Sequence, residues 1–369
     1  MTTTIDTKFI KELQEYGSKN FLSCFDCGTC TAVCNLTEKD NSFPRYFVRL
    51  AKTGQTSEIV KARQIWQCYA CGDCSQSCPR DADPAELIAA LRRYTIARYE
   101  PTGITRLMFK NNLIYVLITL ILAFVLALFM MTFQPETEVS RWIFNIISYE
   151  TIHYTGIAVF VIIILSMIYG TVMSIRNYSA GEKNKNSFWK NLSEVLKEIA
   201  IFKRYQNCDT YDDSPWHGKS FLVKPWFIHF TIFWGFVGLF GATVLDYLFK
   251  NPATDVWWPT RILGTIAGLL LMYGSTLAMY YRLTKPTKIY EKSKMADWIF
   301  LIFIWLTGIT GFWLEVAVMA GIHTLFNQYM LLIHTVLAME MCLLLVFSKF
   351  AHALYRPIAL YFYFATKKQ

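Results

Sequence analysis

The chain has 369 residues, 54% of them hydrophobic, 16% aromatic and only 17% charged, with a mean hydropathy of +0.30 and a formal charge of +9. The apolar fraction excludes intrinsic disorder, and the low charge excludes an ordinary soluble enzyme, in which about a quarter of residues are charged. The basic excess suits a nucleic acid or a membrane surface, and the placement of the ten cysteines and of the apolar runs decides which.

Eight of the cysteines fall within the first 78 residues, as two copies of C-x2-C-x2-C-x3-C: Cys24, Cys27, Cys30, Cys34 and Cys68, Cys71, Cys74, Cys78. This is the run that ligates a pair of 4Fe-4S clusters in bacterial ferredoxins. Three thiolates on a short loop cover three iron corners of one cubane, and the fourth starts a helix and points to the other. The expected sets are therefore Cys24, Cys27, Cys30 with Cys78, and Cys68, Cys71, Cys74 with Cys34. Gly28 and Gly72 allow tight turns. Pro79 follows the second run, where Asn35 follows the first. Structural zinc prefers ligands in two separated pairs, and disulfides do not persist in a reducing compartment.

Between the runs lie 33 residues with two expected helices, 43–52 and 57–66. After them Asp83-Pro84 reads as a cap and an N1 proline before a helix over 85–99. Residues 1–100 form the expected cluster domain and 101–112 a linker.

From residue 113 the chain becomes a series of apolar runs: 113–133, 152–175, 226–245, 262–281, 298–314 and 329–348. Each approaches the ~20 residues that cross a bilayer as a helix. The connections alternate in charge. Arg106 and Lys110 precede run one; Arg176, Lys183, Lys185, Lys190, Lys197, Lys203, Arg204, Lys219 and Lys224 follow run two; Arg282, Lys285, Lys288, Lys292 and Lys294 follow run four; Lys367 and Lys368 lie in the tail. The other connections offer Arg141 with Glu136, Glu138 and Glu150, then Lys250 and Arg261, then no charge from Gly321 to Gln328. Basic loops stay in the cytoplasm, so both termini and the cluster domain are expected there, on the cytoplasmic membrane. The +9 thus records topology, and nucleic acid is not an expected partner. Two clusters at about −2 each lower the charge to roughly +5. Residues 187–203 carry apolar positions at helical spacing among lysines, which suits either an interfacial helix or one packed on the cluster domain. Residues 113–360 are the expected membrane domain, with 176–225 as its amphipathic cytoplasmic loop and 361–369 as the tail.

Only six histidines occur. His334 and His352, 18 residues apart, would project from one face of a continuous helix. By depth His153 matches His334 near the outer face, and His229 matches His352 near the inner. That pattern suits two bis-imidazole b-type haems, with His217 and His323 as substitutes. No C-x-x-C-H run is present to attach haem covalently. A donor entering from the lipid would be a quinone, for which Glu150, Arg261, Glu315, His323 and Glu340 are candidate binding or proton-carrying groups. Gly235, Gly238 and Gly241 suggest close helix packing. Cys208 and Cys342 read as inert thiols.

The stretches Cys24–Leu36, Cys68–Arg80, Pro84–Tyr99 and the membrane half with His334 and His352 resemble the C subunits of quinone-interacting membrane-bound oxidoreductase (Qmo) complexes. Those subunits fuse a heterodisulfide-reductase-C-like ferredoxin domain to a nitrate-reductase-gamma-like haem b domain. The resemblance implies a mainly α protein: a helical domain of the two-4Fe-4S ferredoxin type, then a six-helix transmembrane haem b bundle. It implies menaquinone as substrate, soluble Qmo A- and B-like subunits bearing flavin and iron-sulfur centres as partners, and adenylylsulfate reductase in dissimilatory sulfur metabolism beyond them. The nitrate reductase gamma subunit has two histidines in one early span; here His229 stands with Leu239 ten residues on, and His153 is the replacement. A heterodisulfide-reductase-type or other respiratory cytochrome b/iron-sulfur subunit is the alternative. A redox-sensing membrane anchor is a further one, though it would not need histidines at paired depths. No adjacent Cys-Cys pair is present for disulfide reduction.

Overall fold

The computed structural model describes residues 6, 8–38, 42–136, 141–179, 187–208, 214–249 and 258–366. Glu138, Lys183, Lys185, Lys250, Lys367 and Lys368, which the charge pattern uses, lie outside the described residues. The described part is helical throughout, with six helices long and apolar enough to cross a membrane. These are span one (Asn112–Thr132), two (Tyr149–Ser179), three (Pro225–Phe249), four (Trp258–Thr284), five (Met295–Met319) and six (Leu325–Phe347). The chain is therefore a multi-pass membrane protein with a cysteine-rich amino-terminal domain.

Span three lies along span four, four along five and five along six, while spans one and two both pack on six. Spans five and six are the most enclosed, and the outer faces of one and two present Leu120, Ile121, Phe124, Leu165 and Ile168 outward, as lipid requires. Lipid tails supply no hydrophobic drive between helices, so small residues that let backbones approach are what hold such pairs. At Gly235 a Cβ would stand 2.7 Å from the Leu271 nitrogen and 2.8 Å from the Ala267 oxygen, and at Gly238 it would stand 2.7 Å from the Ala267 Cβ. Gly241, expected in the same stripe, has nothing within 4 Å and is not at the contact.

Span two has 31 residues, about 46 Å at the helical rise, against a hydrocarbon core of about 30 Å. Its surplus reaches the amino-terminal domain, where the Asn177 side-chain amide donates to the Tyr99 hydroxyl at 3.0 Å. Tyr178 and Tyr355 join Phe47, Ile65, Trp66, Leu87 and Tyr99 in one continuous apolar core. The cluster domain and the membrane bundle are thus packed together. The expected linker is itself structured: residues Ile104–Lys110 form a helix, and the Thr105 hydroxyl donates to the Phe347 carbonyl at 3.0 Å.

Local expectations meet mixed outcomes. The first inter-run helix is Arg45–Lys52, but the second divides into Thr56–Lys61 and Gln64–Gln67, because Ala62 leaves the helical region at ψ 117°. Helix Pro84–Tyr99 starts where its proline directs, yet Asp83 does not cap it. Asp83 sits at φ +55° with its carboxylate accepting from the Ser75 hydroxyl, and that hydroxyl accepts the Ala85 N–H at 2.9 Å. Residues 187–203 give helix Phe188–Ile201, which does both things the pattern allows. Val195 and Glu198 are buried against the protein, while Phe188, Trp189, Leu196 and Ile201 are exposed. Helix His352–Thr366 closes the described chain, so most of the expected tail is ordered helix.

The continuous helix expected to carry His334 and His352 is broken. Span six ends at Phe347; Ser348 is extended at φ −128°, ψ −169°, a short 3-10 turn covers Lys349–Ala351, and His352 begins a new helix. Ser348 makes the break: its hydroxyl donates to the Leu344 carbonyl at 2.7 Å and accepts the Phe350 N–H at 3.3 Å.

Gly235→Leu should force spans three and four apart and lower stability by ~1–3 kcal/mol, whereas Gly241→Leu should not. Thermal unfolding of the detergent-solubilised pair checks this, and equal melting of the two variants would contradict the packing.

Candidate redox centres

The two cysteine runs fold into the same backbone path. In each, the first cysteine is extended, the residue two later has positive φ (Asp26 +61°, Ala70 +55°), and its N–H points at the first sulfur: Asp26 N to Cys24 Sγ and Ala70 N to Cys68 Sγ, both 3.3 Å. Gly28 at φ +90° and Gly72 at +95° then open short helices Thr29–Ala32 and Asp73–Gln76. Backbone donors aimed at sulfur are what a thiolate ligand requires. The thiols also sort into neighbourhoods. Cys30 feels the charges of Cys24, Cys78 and Cys27, whereas Cys34 feels Cys68, and Cys74 feels Cys68 and Cys34 before Cys30. Burial pushes the Cys34 thiol up to about 12, so a thiolate there depends on the charge of bound metal. Cys27 is exposed, and its thiol is held low by the Thr29 hydroxyl 3.4 Å away.

Positive charge is gathered at the second run. The Cys68 carbonyl accepts from Arg92 and, at 3.2 Å, from Arg356 Nη1; Arg356 Nη2 donates to the Gln67 carbonyl at 3.2 Å. Burial pulls Arg92 down to about 10, Cys68 pulls it back up, and its other charged neighbours, Arg356 and Arg93, are positive. Enclosed cations are normally paired. Here the available counter-charge is thiolate sulfur, which fits an anionic cluster.

The two proximal histidines face each other. His229, one turn into span three, and His352 have ring centres 6.5 Å apart. With about 2 Å from metal to imidazole nitrogen and about 1.2 Å from nitrogen to ring centre, two rings on opposite sides of one metal stand about 6.4 Å apart. His352 Nδ1 lies 2.8 Å from the Lys349 carbonyl, and a bond there orients the ring and leaves Nε2 free to ligate. Burial holds His352 at about 3, hence neutral. His229 Nδ1 is buried without a partner among the described residues. This pair fits a bis-imidazole haem.

The distal pair is arranged differently. His334 Nδ1 is 2.9 Å from the Thr310 hydroxyl on span five, and Gly311 makes room for the ring: a Cβ there would lie 3.1 Å from His334 Cε1. His153 Nδ1 is 2.9 Å from the Tyr149 carbonyl, and its ring stacks on Tyr247 with centres 4.9 Å apart. Among the described residues no ring contact joins His153 to His334. His323 stacks on Trp142 at 4.4 Å, beside the distal end of the bundle. His217 lies in the turn before span three, its N–H bonded to the Ser214 carbonyl.

Of the acidic candidates, Glu340 is fully buried in span six with neither oxygen partnered among the described residues. Glu315 accepts from the Thr265 hydroxyl at 2.8 Å, and the Arg261 carbonyl accepts from that same hydroxyl. Glu150 has one buried oxygen without a partner among the described residues. Three participants escape a reading of the sequence. Arg92 and Arg356 carry no motif. Tyr69 lies under the Arg356 guanidinium at 3.5 Å and donates to Glu198. Cys208, expected to be inert, donates its S–H to the Arg204 carbonyl at 3.8 Å.

Residues 23–82 match the 4Fe-4S dicluster domain family, and residues 106–367 match the family described as citrate utilization protein B. The first match contains all eight clustered cysteines, so the chain carries an amino-terminal 4Fe-4S dicluster domain, and this domain is similar to heterodisulfide reductase C subunits. The C subunit of H(2):CoB-CoM heterodisulfide,ferredoxin reductase from Methanothermobacter thermautotrophicus is 30% identical over 24% of this chain and 48% of its own. A heterodisulfide-reductase-C-like protein of Archaeoglobus profundus is 29% identical over 26% and 52%. The chain thus spans about half the length of these relatives. Citrate utilization protein B of Escherichia coli is 25% identical over 96% of this chain and 93% of its own. No solved structure matches the chain.

Gly72→Val places a side chain at φ +95° and 3.0 Å from Ile289 Cβ, a strain of ~1–2 kcal/mol before any clash. Iron in the purified protein should fall from about eight atoms per chain toward four. Unchanged iron would contradict the role of this turn.

Proposed function

Because the chain belongs to the citrate utilization protein B family, we propose that it is the membrane electron-transfer subunit of a quinone-linked oxidoreductase. It carries two 4Fe-4S clusters and two b-type haems, with the cluster domain on the cytoplasmic side. When bound, these groups supply the one-electron carriers between a quinone, menaquinone in the fuller reading, and a soluble partner. The observation that carries the proposal is the 6.5 Å separation of the His229 and His352 rings directly beneath a dicluster domain. Arg356, one turn beyond His352, reaches the carbonyl of the cluster cysteine Cys68.

The residues divide the work as follows. Cys24, Cys27, Cys30 and Cys78 hold one cluster, and Cys68, Cys71, Cys74 and Cys34 the other. His229 and His352 ligate the proximal haem, with Lys349 orienting His352 through its carbonyl. His334 and His153 ligate the distal one; Thr310 and Tyr149 fix their tautomers. Glu340, buried and unpartnered among the described residues, suits a group that takes and gives a proton within the membrane, with Glu315, Arg261, Glu150 and His323 nearer the distal surface.

The resemblance to Qmo C subunits gives the partner as soluble A- and B-like subunits with flavin and iron-sulfur centres, serving adenylylsulfate reductase. The near full-length likeness to citrate utilization protein B favours a second reading, in which the partner belongs to citrate utilization. Reduction of the purified protein by each candidate partner, followed by reoxidation with a menaquinone analogue, separates the two.

His229→Ala and His352→Ala should each remove the same haem, halving the pyridine haemochrome signal while iron-sulfur content is kept. His153→Ala and His334→Ala should remove the other. Loss of that haem in His323→Ala but not in His153→Ala overturns the distal assignment, and a wild-type protein with no haem overturns the whole reading.

A further inference from the structure

The surroundings of the two cysteine runs differ in origin. At the first run the cations belong to the same domain. Lys52 Nζ donates to the Cys24 carbonyl at 2.9 Å, and Arg49 pairs with Asp26 at the surface. Solvent screens such exposed charges. At the second run Arg92 of the same domain is joined by flanking groups from the membrane half, among them those of two separate elements.

One element is the C-terminal helix, whose Arg356 donates to the Cys68 and Gln67 carbonyls and covers the Tyr69 ring. The other is the segment 203–208 between spans two and three. Its Tyr205 stacks on Tyr69 with centres 4.9 Å apart, and its Asn207 carbonyl accepts from the Asn35 amide at 2.6 Å. Tyr69 and Asn35 are each adjacent to a ligand of the second cluster. The segment is therefore seated on that cluster's rim at two points, and the Asn35–Asn207 bond alone closes a separation of 172 residues in sequence.

Cluster potentials follow net charge, hydrogen bonds to sulfur and solvent exposure. Reduction adds one electron and no proton to the cluster, so a fixed cation favours the reduced form. We propose that Arg356 is a positioning residue for the second cluster. It raises that cluster's reduction potential by placing a guanidinium at the Cys68 carbonyl. The docking of the membrane half thereby sets the electron affinity of the cluster nearest to it. This rests on the assignment of the eight cysteines to two clusters.

The test is a redox titration of the full-length protein in detergent, followed by electron paramagnetic resonance. Arg356→Gln should lower one of the two cluster midpoints and leave the other, with iron content unchanged; Arg356→Lys should recover most of the shift. The proposal is overturned by midpoints unmoved in Arg356→Gln, or by equal movement of both clusters. If Arg356→Gln fails to assemble, Arg356→Met, which keeps the apolar stem and removes the charge, is read in the same way. Absence of two cluster signals in the unsubstituted protein sinks the cysteine assignment instead.

Discussion

The end of span six is where the two halves of the molecule are tied together. Ser348 turns its hydroxyl onto its own helix and then onto the Phe350 N–H, so a second helix starts at His352 rather than the first one continuing. Residues four apart on that new helix share a face. His352 and Arg356 use that spacing: one faces His229 across the mouth of the bundle, and the other faces the carbonyl of Cys68. Lys349, in the turn between the helices, holds His352 with its carbonyl and the first turn of span five with its ammonium, through Asp297. One break in one helix therefore fixes the proximal histidine, the contact to the second cysteine run and the anchoring of spans five and six to each other.

The same junction explains why the halves share a core. A membrane bundle linked to a soluble domain by a flexible tether would leave the relative position of their centres undefined. Here Tyr178 from span two, Tyr355 from the C-terminal helix, and Trp66 and Tyr99 from the cluster domain are buried together. Large aromatic side chains each contribute ~1.5–3 kcal/mol on burial, and their packing sets a fixed separation between the cysteine runs and the His229–His352 pair. Gly170 belongs to this arrangement: a Cβ there would meet the Tyr355 hydroxyl at 2.6 Å, so the absence of a side chain on span two is what admits the tyrosine.

Patterns that repeat are legible in the sequence; contacts that close over distance are not. Both cysteine runs, their positive-φ glycines and the six apolar spans follow from spacing and period alone. The Pro84 helix start is local as well, although the capping oxygen comes from Ser75 rather than from Asp83. The pairing of His229 with His352 follows from counting residues along spans and placing depths, an argument about distance through the membrane that survives a helix break. The claim that His334 and His352 share one helical face does not survive it, because a serine inside an apolar run gives no warning that its hydroxyl will terminate the helix. The seat of residues 203–208 is hidden for the same reason: the segment sits in a long loop, far along the chain from the cysteine runs, and only the fold brings Tyr205 onto Tyr69.

Arg92 and Arg356 show how far the sequence leaves electrostatics unstated. An arginine in a helix reads as a solvated face, and nothing near either residue in the chain suggests otherwise. In the fold they converge on a single carbonyl, beside each other and without a carboxylate among the charged neighbours of Arg92. Two like charges gathered inside a protein cost several kcal/mol unless something negative lies between them. The thiolate-bound cluster answers that demand, and the demand runs both ways. The arginines need the cluster's negative charge in order to be enclosed, and the cluster's affinity for an electron depends on the arginines. Since Arg356 arrives on the helix that begins with His352, the charge that stabilises an electron on the second cluster and the imidazole that faces His229 move as one rigid unit.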